Sequence, residues 1–245
     1  MSSNTAIVKT AARLCYSIYA YPDSPLTAWD LYREDQVCWG VTKVDDLWYL
    51  VFRGSVTALD WERDFEALAV YDPVLDAHVH PGFARDIQGI VQQAVDFIGG
   101  QPMAITGHSL GAARSAIAAA HAIKAGTPPI ARVAFGEPRP GFMDLAQLIS
   151  QVPNYNFVNC DANGYDRVTG VPFTLPEEWY VAGSPQIDVT ASPAADDEWG
   201  PLFSYHHIQL YYAAIQKLGD DHADQKAPQK AAPLLRTQLS VQGHA

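Results

Sequence analysis

The pentapeptide Gly107-His108-Ser109-Leu110-Gly111 carries the sharpest chemical signal in the chain. It fits Gly-x-Ser-x-Gly, a strand-to-helix turn that lifts a serine hydroxyl clear of a sheet so that it can attack a carbonyl carbon. The neighbours supply the context this needs. Met103-Ala104-Ile105 read as a strand leading in, and Ala112-Ala113 as the start of a helix leading out. Glycines at 107 and 111 and alanines at 112, 113 and 116 let the strand and helix approach closely. The backbone N–H of Leu110, at the helix N-terminus, would face the negative charge that develops on an attacked carbonyl oxygen.

A serine hydroxyl is a weak nucleophile and needs a base. In chains with this elbow the acid and then the histidine follow the serine. Of the eight histidines, His121, His206, His207, His222 and His244 follow Ser109. His121 sits inside the helix that Ser109 opens, and His222 and His244 lie in a tail. His206 and His207 remain, and spacing does not separate them. For the acid, the loop after residues 155–160 offers Asp161 and Asp166, again without a choice from spacing. Either would hold the imidazole tautomer and stabilise its cation.

The surrounding elements are those of an α/β sheet. Asn4–Ala20 has helical spacing of apolar residues, and Gln36–Val44 and Leu47–Phe52 read as strands joined by a hairpin turn at Asp45-Asp46. Gly82–Ile98 is an amphipathic helix closed by Gly99-Gly100. Strands at Pro102–Thr106, Ile130–Phe135 and Tyr155–Cys160 then alternate with helices at Ala112–Ala125 and Met143–Ile149. That alternation predicts an α/β fold with a mostly parallel central sheet and helices on both faces, and the elbow within it makes an α/β-hydrolase fold the expectation. Glu178–Val189 reads as an antiparallel appendage and His206–Lys217 as a last helix. We expect one domain over residues 1–218 and a loosely ordered, flexible tail over 219–245.

Composition narrows the partners. The 245 residues are 48% hydrophobic and 18% charged, enough for one large core, and the net charge of -11 argues against nucleic acid. Three scattered cysteines make neither a disulfide framework nor a zinc site. His78-x-His80 and His206-His207 raise a metal-dependent alternative, but no acidic or cysteine partners stand at ligand spacing. No stretch reaches the roughly 18 apolar residues of a membrane span. The start of the sequence lacks the marks of a secretory signal, so we expect a cytoplasmic location.

Phe52-Arg53-Gly54-Ser55, His80-Pro81-Gly82-Phe83, the elbow itself, and Phe135-Gly136-Glu137-Pro138-Arg139 follow one another in an order that resembles the class 3 lipase family, the fungal-type triacylglycerol lipases and their bacterial relatives. Asp166-Arg167-Val168-Thr169-Gly170-Val171-Pro172 is similar to its acid motif, although Thr169 stands where the family has proline. His206-His207-Ile208-Gln209-Leu210-Tyr211 resembles its histidine motif. The resemblance implies a carboxylic ester hydrolase with a triad of Ser109, Asp166 and His206 and an oxyanion hole made by Ser55 and Leu110. It implies no cofactor and no metal. Phospholipase and feruloyl-type esterase remain alternatives, as does an inactive scaffold that only binds. Trp61 and Asp64 stand where the family has the same residue types, and Asp64 would orient the Ser55 hydroxyl. A lid near 58–68, with Leu59, Trp61, Phe65 and Leu68 on one face, would make transient contact with a lipid interface. Being short and charge-rich, it favours soluble or dispersed esters.

Overall fold

A computed structural model describes residues 3–21, 27–55, 68–172, 180–194 and 203–219. The expected lid, except for Leu68, and the tail beyond Gly219 lie outside the described residues. The N-terminal amphipathic run forms helix α1 (Ser3–Tyr19), which buries Val8, Ala11, Leu14, Cys15 and Ile18. Strands β1 (Leu31–Glu34), β2 (Cys38–Val44) and β3 (Leu47–Phe52) form an antiparallel meander. The turn at Asp45-Asp46 has positive φ at both residues, 48° and 64°, as a tight two-residue hairpin requires.

After a small hairpin of β4 (Val70–Asp72) and β5 (Ala77–Val79), the predicted helix over 82–98 divides. A short helix α2 (Pro81–Ala84) is followed by α3 (Ile87–Ile98), with Asp86 between them at φ 61°. Its apolar residues keep a helical period across the break, which is why the division is invisible in the pattern. Next come β6 (Met103–His108), α4 (Leu110–Lys124), β7 (Ala131–Phe135), α5 (Met143–Ile149), β8 (Asn154–Asn159) and β9 (Gln186–Val189). Helix α6 (Ile208–Gln216) closes the described chain.

The seven strands lie in the order β1-β2-β3-β6-β7-β8-β9, parallel from β3 onwards. β6, β7 and β8 are buried at every residue, as strands covered on both faces should be. One face packs against α3, α4 and α5 and the other against α1 and α6. The segment read as an antiparallel appendage is instead β9, an edge strand parallel to β8. Local alternation sets the strand but not its direction. Among the described residues of that stretch, only Val181 pairs antiparallel, through an isolated bridge to Gly141.

Alanine explains how α4 sits so close to the sheet. Ala112, Ala113, Ala116 and Ala118 to Ala120 are all fully buried. A buried ion pair then ties α4 to the strand ends. Arg132 on β7 is paired with Glu137, and both are fully buried. The guanidinium also donates to Ser115 Oγ (3.0 Å), Asn154 Oδ1 (3.0 Å) and the Ala112 carbonyl (2.9 Å). Glu137 accepts from Asn156 Nδ2 (2.7 Å) and the Gly183 N–H (3.2 Å). Glu137→Gln leaves Arg132 charged, buried and uncompensated. We expect it to destabilise the fold by about 3–5 kcal/mol, read from denaturant midpoints.

Candidate active site

The site is assembled at the carboxyl ends of β3, β6, β7 and β8. Ser109 sits between β6 and α4 with φ 64° and ψ -135°, a conformation that costs a non-glycine residue on the order of 1–3 kcal/mol. Its backbone is held from both sides. The N–H donates to the Phe135 carbonyl (2.9 Å), and its own carbonyl accepts from the N–H groups of Ala112 (2.8 Å) and Ala113 (3.3 Å). The elbow leaves no space for side chains at its flanks. A Cβ on Gly107 would stand 2.1 Å from the Gly111 carbonyl oxygen, and one on Gly111 would stand 2.2 Å from that of Phe52. Ser109 is buried, and among the described residues its Oγ has no hydrogen-bond partner.

The two histidine candidates are separated by geometry. The buried His206 ends a 3-10 turn over Ser204–His206, and its Nδ1–H donates to Asp166 Oδ2 at 2.6 Å. His207 is the residue that caps α6. A neutral imidazole with its proton on Nδ1 keeps its lone pair on Nε2, on the side of the ring away from the carboxylate.

The two aspartates are separated as clearly. Fully buried Asp166 receives three donors: His206 and the Tyr211 hydroxyl (2.5 Å) on Oδ2, and the Val168 N–H (3.0 Å) on Oδ1. Asp161 turns instead to its own loop. It accepts from Tyr205 Oη (2.6 Å), Ser192 Oγ (2.7 Å) and the N–H groups of Asn163 and Gly164. Those donors, Tyr205 first, pull its carboxyl down to about 2.

Gly54 places the expected oxyanion loop against the nucleophile. A Cβ there would lie 2.8 Å from both Ser109 Cβ and the His108 carbonyl oxygen. Ser55 follows it, half-buried, and Leu110 opens α4 with its N–H in the first helical turn, where no intrahelical acceptor exists. Trp61 and Asp64 lie outside the described residues. His78 and His80 have other partners. His78 Nδ1 meets Asp144 Oδ2 at 2.7 Å, and His80 Nδ1 accepts the Gly82 N–H to cap α2. Among the described residues no group of three or more His, Cys, Asp or Glu is arranged to hold a metal ion.

Sequence reasoning missed the supporting shell. Tyr211 fixes Asp166 and itself accepts the Asn159 N–H (3.1 Å); the same hydroxyl therefore links the acid to β8. The Asn159 side chain donates to the carbonyls of Tyr205 (3.1 Å) and Ala191 (2.9 Å), which anchors the residue before His206. Gly136 has φ 58°, and a Cβ there would come within 2.9 Å of His206 and 2.7 Å of Asp166. Tyr211 lay within the histidine segment, but nothing in its spacing assigned its hydroxyl to the acid.

The chain matches the class 3 lipase family over residues 49–175. Three solved structures share the fold. The mono- and diacylglycerol lipase of Aspergillus oryzae is 21% identical, with a TM-score of 0.62 over 91% of this chain and 97% of that one. The lipase of Rhizopus microsporus var. chinensis is 20% identical, with a TM-score of 0.62 over 79% and 77%. The triacylglyceride lipase of Rhizomucor miehei is 20% identical, with a TM-score of 0.60 over 78% and 82%.

His108 gives the site a pH signature. Burial, reinforced by neighbouring His206, holds its imidazole well below the ordinary value of 6.5. Below that pH the unfolded chain takes up a proton that the folded chain refuses, so stability falls as the solution is acidified. His121, also lowered by burial, adds to the same loss. In His108→Gln the first source is gone. Its melting temperature, lower than wild type at pH 7, should approach the wild-type value as pH falls to 5.

Proposed function

The chain belongs to the class 3 lipase family and is a serine ester hydrolase, and we propose that Ser109, His206 and Asp166 are its catalytic triad. The observation that carries the residue assignment is the contact of His206 Nδ1 with buried Asp166 Oδ2 at 2.6 Å, beside a strained elbow whose serine hydroxyl is uncommitted among the described residues. His206 takes the Ser109 proton on Nε2 as the serine oxygen attacks the ester carbonyl. The N–H groups of Leu110 and Ser55 receive the oxyanion, each such donor being worth about 3–4 kcal/mol in related sites. Protonated His206 then gives its proton to the departing alcohol. Water, deprotonated by the same nitrogen, attacks the acyl-enzyme and releases the acid. Asp166 stays ionised throughout and compensates the imidazolium.

Acylglycerols are the proposed substrate class, because two of the solved relatives are named for glycerides and the described residues that follow the expected lid expose apolar side chains. Leu68, Val70, Tyr71 and Val74 are exposed on and around the β4–β5 hairpin. A short lid and this ridge would together meet dispersed lipid.

Hydrolysis of p-nitrophenyl esters from acetate to palmitate tests the reading. Wild type should turn over, and Ser109→Ala should lose essentially all activity. Persistent turnover in that variant would remove Ser109 as nucleophile. The acyl length with the highest kcat/KM separates an esterase from a lipase.

The acid is tested separately. Asp166→Asn should lower kcat by about 10⁴-fold, since an amide no longer enforces the tautomer. Asp161→Asn should stay within about threefold of wild type, because its carboxylate only orders a surface loop. The reverse ranking of the two would move the acid to Asp161.

A further inference from the structure

Two side chains, half-buried Tyr19 and buried His108, connect the proposed oxyanion loop to the proposed base, and neither belongs to the triad. Tyr19, the last residue of α1, accepts the Gly54 N–H at 3.1 Å and lies 2.8 Å from His108 Nδ1. His108 Nε2 lies 2.7 Å from the carbonyl oxygen of His206.

The direction of every link follows from chemistry. The His206 carbonyl only accepts, so the proton of His108 is on Nε2. A neutral imidazole then has an acceptor at Nδ1, so the Tyr19 hydroxyl donates to it. The phenol oxygen is left as acceptor for the Gly54 N–H. The Gly54 N–H, the Tyr19 hydroxyl, both ring nitrogens of His108 and the His206 carbonyl are all matched in this one arrangement. Protonating His108 would leave the Tyr19 proton without its acceptor, and burial opposes that charge in any case. The rings are packed as well as bonded. Tyr19 meets His108 edge-on at 5.5 Å, and His108 lies tilted against the His206 ring at 4.7 Å between centroids.

We infer that Tyr19 and His108 are positioning residues, forming a relay that holds the Gly54–Ser55 oxyanion loop and the His206 backbone at a fixed distance across Ser109. This deepens the triad reading and rests on it. His108 directly precedes the nucleophile and Gly54 packs on it, so one rigid relay sets three groups against one another: base, nucleophile and oxyanion donor. Transition-state geometry is sensitive at this scale, a misplacement of roughly 1 Å costing about 100-fold.

The test is a double-mutant cycle with Tyr19→Phe and His108→Gln, assayed on p-nitrophenyl butyrate. Tyr19→Phe keeps the ring and removes only the hydroxyl. His108→Gln keeps an N–H donor near the Nε2 position for His206 and leaves no polar atom at the Nδ1 position that faces Tyr19. Turnover is normalised to sites labelled at completion by a fluorophosphonate, which separates misfolded protein from mispositioned sites. Each single variant should lose roughly 10- to 100-fold in kcat per labelled site, with KM within about twofold. The double variant should be no slower than the worse single one, because a broken relay cannot be broken again. Losses that multiply, or a Tyr19→Phe kcat per site equal to wild type, would overturn the relay. Ser109→Ala run in parallel reports on the triad alone: turnover there removes the nucleophile assignment, while the coupling between Tyr19 and His108 is still read from the cycle.

Discussion

Helix α4 can follow strand β6 at so sharp an angle only where the chain carries no side chains in the way, and this close approach organises everything around it. The Gly107 and Gly111 backbones touch, and Gly111 in turn abuts the Phe52 carbonyl at the end of β3. Parallel pairing of Phe52 with Gly107 fixes the height at which β3 ends beside the elbow. Gly54 and Ser55 therefore emerge against Ser109, rather than a residue above or below it. On the other side, pairing of His108 with Phe135 brings Gly136 level with the elbow, and Gly136 is where the His206 and Asp166 side chains come to rest. A strained residue persists only where its surroundings over-determine it. Here the Phe135 carbonyl, the first turn of α4 and the Gly54 backbone all do so.

The same constraint explains what was legible in the sequence. Gly-x-Ser-x-Gly is local, so strand, turn and helix could be read from adjacent residues. The parallel core was legible too, because short strand-like segments at β6, β7 and β8 alternate with helical patterns, even though Arg132 and the asparagines of β8 interrupt their apolar character. Choosing Asp166 over Asp161 was not possible from spacing, since both lie in one polar loop after β8. The difference is non-local: Tyr211 and His206 reach Asp166, while Tyr205 and Ser192 occupy Asp161. Tyr19 was less visible still. It lies 35 residues from Gly54 and 89 from His108, and in the sequence it is simply the end of an amphipathic helix. The break at Asp86 and the direction of β9 escaped for a related reason: periodicity reports which face is buried, not where the chain turns or which way its neighbour runs.

Buried carboxylates occur in two settings, beside Arg132 and beside His206, and the fold treats them differently. Arg132 and Glu137 form a pair whose charges cancel, with further hydrogen bonds to α4, β8 and Gly183. Such a pair contributes little net stability against an apolar replacement, but it specifies where α4 sits on β7. Among the described residues Asp166 has no fixed cation. Three neutral donors hold its carboxylate instead, so the positive charge that balances it can appear and disappear on His206 during turnover.

Helices α1 and α6 carry this argument to the opposite face of the sheet. They pack together with Tyr16 stacked on Tyr212 at 5.2 Å, and each delivers one phenol to the site. Tyr19, from the end of α1, fastens the Gly54 N–H and orients His108. Tyr211, from α6, fastens Asp166 and the end of β8. Phenols suit this work because the ring belongs to the core while the hydroxyl both donates and accepts. Helices α1 and α6 are thus coupled to opposite ends of the proposed triad, one at the oxyanion loop and one at the acid. Packing between two helices that contribute no reacting atom becomes part of what sets the distance between the groups that do.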